Sequence, residues 1–286
     1  MKIAIMTDVN AGLDYVPHSK DIVILRSTVN FGNEILVDGK DITAEEFYNR
    51  IQKVQTREDI PSTSAPALGD IYDAFDRFIE LGYTHVIHFP ISFELSGTGK
   101  NVVQVAEEYK DKLEVTVVNT KTACYMQGYL ALNAYNMAQQ GLPYDEIVKR
   151  SLELADQTNI YFAVQNLDYL VKNGRLSGAS GFVGTLLKIK PILEITPEGK
   201  ITTKEKVKTS KRALQRLVEL AIEAMGDHQN CIVVVLHSLA KEDAEYIKNE
   251  LINQKPELGE IDIQFVAPAV GAHVGCGVSG VGIIRL

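Results

Sequence analysis

The chain has 286 residues, 45% of them apolar and 23% charged, and a formal net charge of −8 at pH 7. That length fits one large or two modest domains with a real core, and the composition is that of an ordinary globular protein. The acidic balance excludes nucleic acid as the main partner, because phosphate binding needs clustered cations. No stretch reaches the ~20 consecutive apolar residues of a membrane helix. The opening Met1-Lys2-Ile3-Ala4-Ile5-Met6-Thr7-Asp8 turns acidic too soon for a signal peptide. A cytoplasmic chain with no stable membrane insertion is therefore expected. The three cysteines, Cys124, Cys231 and Cys276, form no Cys-x-x-Cys pair, which argues against a disulfide framework and a zinc site alike.

Strand and helix patterns alternate along the first half. Lys2–Thr7 and Ile22–Val29 read as strands, and Thr43 with Glu46 has the spacing of a capping box at a helix start. Leu68, Ile71, Phe75 and Phe78 form a helical stripe, and Thr84–Phe89 reads as a buried strand. A helix follows Gly97, Leu113–Val118 is a strand, and Tyr125–Gln140 and Tyr144–Asp156 are helices. This alternation predicts a mostly parallel sheet with helices on its faces. The second half changes character. Ile160–Val164 is a short strand, and a helix ends at Asn173-Gly174. Ile189–Thr196 and Lys200–Val207 flank Pro197-Glu198-Gly199, a hairpin signal. A helix over Ser210–Met225, a strand over Ile232–Leu236, a further helix, a strand over Ile261–Val266 and a Gly-rich last strand follow. The expectation is an α/β protein of two domains, with a parallel sheet in 1–158 and a mixed sheet in 159–286.

Familiar catalytic motifs fail on inspection. Gly97-Thr98-Gly99-Lys100 has Glu94 and Asn101 where a phosphate loop needs Gly and Ser or Thr. Gly178-Ala179-Ser180-Gly181-Phe182 lacks the closing Gly of a nucleophile elbow. His85 and His88 lie three apart on a strand and so point to opposite faces, which denies them a shared metal. No metal or nucleotide site is visible.

Four segments remain. Ser62-Thr63-Ser64-Ala65-Pro66 stands directly before a helix and reads either as an N-cap or as an anion site on the helix dipole. Leu95-Ser96-Gly97-Thr98 follows a parallel strand, at the sheet edge where α/β ligands bind. It reads as a capping turn or as a neutral donor beside a ligand. His273, between Gly271 and Gly275, is a structural histidine or a donor reaching into a cleft. Gly174 ends a helix and leaves Arg175 on an exposed turn. Downstream, residues 188–216 hold nine Lys or Arg against three acids, either a solvated face or a docking surface for an acidic partner.

Order and spacing together resemble the DegV family of bacterial fatty-acid-binding proteins along essentially the whole chain. The resemblance rests on Thr7-Asp8, Thr63-Ser64-Ala65-Pro66 and Leu95-Ser96-Gly97-Thr98. It continues through Leu167-Asp168-Tyr169-Leu170-Val171-Lys172-Asn173-Gly174-Arg175-Leu176-Ser177, Leu187-Lys188-Ile189-Lys190-Pro191-Ile192-Leu193 and Val270-Gly271-Ala272-His273-Val274-Gly275. It implies a two-domain fold with an acyl chain in a tunnel and its carboxylate near the domain junction. It further implies a carrier subunit, not itself an enzyme, that needs no cofactor. A separate fatty-acid kinase phosphorylates the bound carboxylate, and the acyl phosphate feeds phospholipid synthesis. By motif match Thr63, Ser96 and His273 hold the carboxylate, with Ser64 and Gly97 beside them, and Arg175 serves kinase interaction or phosphoryl transfer. The sequence departs from the family pattern at Val9-Asn10, where Ser commonly follows Thr-Asp, at Cys276 in place of Pro, and at Lys208 in place of Arg.

Neutral donors suit that task, because a tight bidentate Arg would stabilise the ionised ground state and blunt the nucleophile. Affinity would come from the tail, at about 0.8 kcal/mol per buried CH₂ and so ~11 kcal/mol for a 16-carbon chain before ordering costs. The expected consequence is a deep apolar tunnel lined from both halves of the chain. A stand-alone hydrolase or phosphotransferase using Ser96 and His273, and a lipid-responsive regulatory protein, are the alternatives.

Overall fold

The computed structural model describes residues 1–178, 189–228 and 230–286. Leu187 and Lys188, and the Gly178–Phe182 run beyond Gly178, lie outside them. The first sheet has the strand order β2-β1-β6-β7, from β1 (Ile3–Asp8), β2 (Val23–Leu25), β6 (His85–Phe89) and β7 (Glu114–Val117). All its neighbours run parallel. Alternation along the strands feeds two apolar layers. Ala4, Met6 and Val86 pack with Ile71, Phe75 and Phe78 of α2 (Leu68–Glu80) and Val102 and Val105 of α3 (Thr98–Tyr109). Ile5, Ile87 and Phe89 pack with Leu130 and Ala134 of α4 (Cys124–Gln139) and Ile147 of α5 (Tyr144–Asp156).

The second sheet has the order β10-β9-β8-β13-β11-β12. Its strands are β8 (Thr158–Ala163), β9 (Lys190–Ile195), β10 (Ile201–Val207), β11 (Cys231–Ser238), β12 (Asp262–Phe265) and β13 (Val278–Arg285). Only β11 and β12 pair in parallel, so the sheet is mixed. The β9–β10 hairpin turns through Gly199, whose φ of 86° lies where a side chain is strained. One sheet face packs Tyr161, Val233, Val235, Val281 and Ile283 against α7 (Ser210–Met225) and α8 (Lys241–Gln254). The other face carries Ile160, Phe162, Leu193, Val234 and Leu236 toward α4 and the first half of the chain.

A small third sheet, β4-β3-β5, joins these bodies. It comprises β3 (Thr28–Phe31), β4 (Glu34–Val37) and β5 (Ser62–Ser64). The single strand expected over Ile22–Val29 is thus two strands in different sheets. The break falls at Arg26, whose guanidinium turns aside to Asp14 (2.8 and 2.9 Å) and to the Asp38 carbonyl (3.0 Å). The capping box at Thr43 and Glu46 opens α1 (Ala44–Ile51). Against this sheet and α1 pack α6 (Asp168–Lys172) and α9 (Pro268–Val274), through Phe47, Tyr48, Tyr169 and Ala272. Among the described residues no helix is long and apolar enough to cross a membrane.

Candidate functional site

The residues singled out in the sequence reach one place from four directions. Thr63 lies in β5, opposite Val29 of β3. The reading of Ser62–Pro66 as a helix cap is corrected here: α2 starts at Leu68 with Ala67 at its N-cap and no side-chain cap bond. Pairing with β3 claims the segment before the helix can. Freed from capping, Thr63 Oγ1 sits 2.8 Å from His273 Nε2. Ser64 Oγ accepts from Asn30 Nδ2 at 3.0 Å. His273 stands in the last turn of α9, a helix beginning at Pro268. Its Nδ1 is buried without a partner among the described residues. Burial and the nearby Arg175 guanidinium push the imidazole down to about 4, so it is neutral at pH 7.

Ser96 precedes α3. Its hydroxyl accepts from Thr98 N–H (3.2 Å) and lies 2.9 Å from Thr98 Oγ1. When Thr98 donates, the Ser96 proton is free for a ligand. The loop bearing Ser96 is pinned at three points. Asp8 Oδ2 accepts from Ile91 N–H (3.0 Å), Ser92 Oγ donates to the Gly199 carbonyl (2.8 Å), and Arg175 Nε donates to the Leu95 carbonyl (2.9 Å). Asp8 is fully buried and its Oδ1 collects Asn10 N–H, Asn10 Nδ2 and Gln127 Nε2. Burial still raises its carboxyl above the usual range, against those hydrogen bonds.

Arg175 is not the exposed side chain that its turn suggested. Gly174, at φ 65°, turns the chain inward, and the half-buried guanidinium spends Nε on Leu95 and Nη1 on the Asn173 carbonyl (2.6 Å). The residues before it act the same way. Lys172 Nζ donates to the Glu58 and Ile60 carbonyls (both 2.7 Å), and Asn173 Nδ2 donates to the Pro61 and Ala272 carbonyls (3.1 and 2.9 Å). This short turn therefore ties β5, α9 and the Ser96 loop to one another.

Between them lies a cavity of about 270 Å³, lined by Thr63, Ser64, Ser96, Gly97, His273 and Arg175 at its polar positions. Its apolar wall comes from Ile91, Leu95, Ala123 and Cys124 on one side and from Ile160, Phe162, Ile195, Ile201, Leu236 and Val278 on the other. All six sequence-derived site residues share this one space. Among the described residues no carboxylate contacts His273, and Ser96 bonds Thr98 instead of His273. A serine–histidine–acid relay is thus not assembled. No cluster of metal-ligating side chains occurs among the described residues.

This architecture can be placed among known proteins. The sequence profile of the family described as "Uncharacterised protein, DegV family" matches residues 2–286. The chain belongs to the DegV family. A DegV domain-containing protein of Streptococcus pyogenes serotype M6 is 32% identical over 284 residues, covering 99% of each chain. The crystal structure of a fatty acid binding DegV family protein from Streptococcus agalactiae superposes with a TM-score of 0.91 at 30% identity, covering 100% of this chain and 99% of that one. The crystal structure of DegV, a fatty acid binding protein from Bacillus subtilis, gives a TM-score of 0.85 at 28% identity and covers 100% of both chains.

Two polar residues of this DegV chain's cavity escaped the sequence reading as site residues. Asn10, one of the departures from the family pattern, and Ser27, at the break between β2 and β3, both line the wall. Asn10 follows Asp8 at the carboxyl edge of a parallel strand, a signal that was available. Ser27 carries none, because only the redirection at Arg26 brings it inward. Cys124 was also missed. It opens α4 at a φ of 56°, where few side chains are found, and burial lifts its thiol to about 12.

Proposed function

We infer that the chain binds one long-chain fatty acid, with the carboxylate at Thr63, Ser96 and His273 and the acyl chain in the apolar cavity. The observation that carries this reading is the cavity itself. A single water position needs ~10–15 Å³ of such volume, so about 270 Å³ takes on the order of twenty water-sized groups. A 16-carbon acid has about 18 non-hydrogen atoms, each methylene worth about 0.8 kcal/mol when buried. The wall around that space is aliphatic and aromatic, with hydroxyls, an imidazole and a guanidinium gathered where Thr63, His273, Arg175 and Leu95 meet. Family membership and the fatty-acid-binding neighbours from Streptococcus agalactiae and Bacillus subtilis support it.

In this reading the chain divides near residue 158, the two units close over the acyl chain, and the protein works in the cytoplasm as a carrier. It presents the carboxylate to a partner kinase, whose acyl-phosphate product enters phospholipid synthesis. Ser64 and Gly97 shape the headgroup pocket, and Arg175 serves the partner or the phosphoryl group. Mass spectrometry of the purified protein, native and after solvent extraction, tests the first part. One fatty acid per chain, lost on denaturation, is expected. A protein that is empty and takes up neither palmitate nor oleate would sink the reading. Incubation with ATP and palmitate, with and without a fatty-acid kinase, tests the second part. Acyl phosphate formed without the kinase refutes the carrier role.

A further inference from the structure

The helix that carries His273 is anchored by a carboxylate with an unusual environment. Pro268, its first residue, has no N–H, and the next, Ala269, donates to Asp38 Oδ2 at 2.8 Å. Asp38 is completely buried, and its Oδ1 has no partner among the described residues. The nearest cation does not answer it. Arg26 Nη1 bonds the main-chain carbonyl of Asp38, and the guanidinium faces both oxygens of Asp14. Two phenols also feel its charge: Tyr15, and Tyr48, whose hydroxyl donates to the Val266 carbonyl. Burial, aided by the Asp14 charge, lifts the Asp38 carboxyl to about 7 against the lowering effects of the Ala269 N–H and the Arg26 charge.

The cavity begins directly beyond this anchor. Ser27, whose carbonyl accepts from Asp38 N–H at 3.0 Å, and Ala269 both line it. His273 lies one helical turn past Ala269 on the same face, a rise of about 6 Å. We propose that Asp38 is the positioning residue for His273, and that its unpartnered oxygen takes up one proton from solvent when a fatty-acid carboxylate enters the cavity. This rests on the fatty-acid reading above. A second anion entering beyond Ala269 raises the cost of keeping this buried carboxylate, with its single N–H donor, charged. The ligand meets hydroxyls, the imidazole and the Arg175 charge, all favouring its ionised form. Asp38 has a single N–H donor, so Asp38 is the one that neutralises. The proton sits on Oδ1 while Oδ2 keeps its bond to Ala269, so α9 stays in place.

The sign follows. Affinity for the fatty acid rises as pH falls through the region near 7, because the proton needed for binding is then already present. Neither His273, held near 4, nor Cys124, held near 12, titrates in that window. Asp8, hydrogen-bonded to Asn10, Gln127 and Ile91, is also raised by burial, and the Asp38→Asn pH profile separates its contribution from that of Asp38.

The test is displacement of a fluorescent fatty acid by palmitate at pH 6, 7 and 8. It compares the intact chain with its Asp38→Asn and Asp38→Ala variants, with the His273 imidazole followed by NMR. The wild-type protein should bind about five- to tenfold more tightly at pH 6 than at pH 8. Asp38→Asn keeps an acceptor for Ala269 and has no charge, so it should bind at every pH as the wild type does at pH 6. Asp38→Ala loses the acceptor. It should bind at every pH about tenfold more weakly than Asp38→Asn, with the His273 resonance displaced. An Asp38→Asn protein that keeps the wild-type pH slope overturns the proposal, as does an Asp38→Ala protein that binds normally with His273 unmoved. If Asp38→Ala does not fold, the Asp38→Asn pH profile decides alone. Wild-type protein that binds no palmitate at any pH instead removes the fatty-acid reading itself.

Discussion

Acid should loosen this protein through His273, by an amount the structure sets. The imidazole is drawn from 6.5 to about 4 by burial and by the Arg175 charge. At 1.36 kcal/mol per unit, a shift of roughly 2.5 units corresponds to ~3.4 kcal/mol. Part of the ring faces the cavity, and water there trims this to about 2 kcal/mol. The sign is that of a depressed histidine: the contribution is complete above pH 6.5. It is lost as pH falls toward 4, because the unfolded chain takes the proton first. His88, fully buried and pushed down to about 3, adds a loss of the same sign. The comparison must therefore be differential. Between pH 7.5 and 4.5 the wild type should lose about 2 kcal/mol more unfolding free energy, by urea titration, than His273→Gln. An NMR titration should place the His273 ring below 5 in the empty protein and higher once palmitate occupies the cavity, since an adjacent carboxylate favours the imidazolium. A His273 midpoint near 6.5, or equal acid losses in the two proteins, would refute the argument.

Asp38 works in the opposite direction. Its folded value of about 7 against 3.8 means that its contribution is present below pH 3.8 and lost as pH rises to 7. Asp38→Asn should therefore be about 2–4 kcal/mol more stable than wild type at pH 8 and close to it at pH 4. Equal urea midpoints at pH 8 would count against the buried charge. Thr63→Val keeps the shape of β5 but strips the partner from His273 Nε2. Palmitate affinity should fall about tenfold with little change in melting temperature, and unchanged affinity would remove Thr63 from the headgroup site. At Gly199, a Cβ would overlap Ser92 Oγ at a φ that side chains avoid. Gly199→Ala should cost about 2 kcal/mol or more in thermal unfolding, and Ser92→Ala about 1 kcal/mol. A Gly199→Ala protein as stable as wild type would show that the hairpin tip does not press on the Ser96 loop.

Periodicity located the long elements well. The stripe in α2, the helix expected over Ser210–Met225 and the turn residues at Pro197-Glu198-Gly199 predict elements that the structure places within a residue or two. Failures cluster where the chain answers to distant partners. Ile22–Val29 has unbroken strand character, but Arg26 finds Asp14 and bends the chain into a second sheet. Ser62–Ser64 looks like a cap because nothing local announces the pairing with Thr28–Asn30. The seven residues of α9 include a proline and a glycine. Asp38 holds them at Ala269 and Asn173 at Ala272, while Tyr48 fixes Val266 just before them, all from far away in sequence. The order of chemically distinct residues named six positions that line one cavity, and two of them, Thr63 and His273, meet at 2.8 Å across 210 positions.

That convergence also explains how an arginine can stand in the cavity wall without clamping a carboxylate. A bidentate grip through the side of the guanidinium requires Nε, and Nε of Arg175 is committed to the Leu95 carbonyl. One proton of Nη1 is committed to the Asn173 carbonyl. What remains is a single outer edge and a full positive charge, enough to depress His273 and to draw an anion inward. On the proposed function, positioning would fall to Thr63, Ser96 and the neutral imidazole. The same two commitments make Arg175 part of the frame that holds the Ser96 loop against α6. Its charge and its structural bonds therefore coincide: in the proposed function the guanidinium would attract the headgroup to a pocket whose shape it helps to set. On the proposed function, a carboxylate held in this way would keep an oxygen free of a strong ion pair, the form in which it could attack a phosphoryl group.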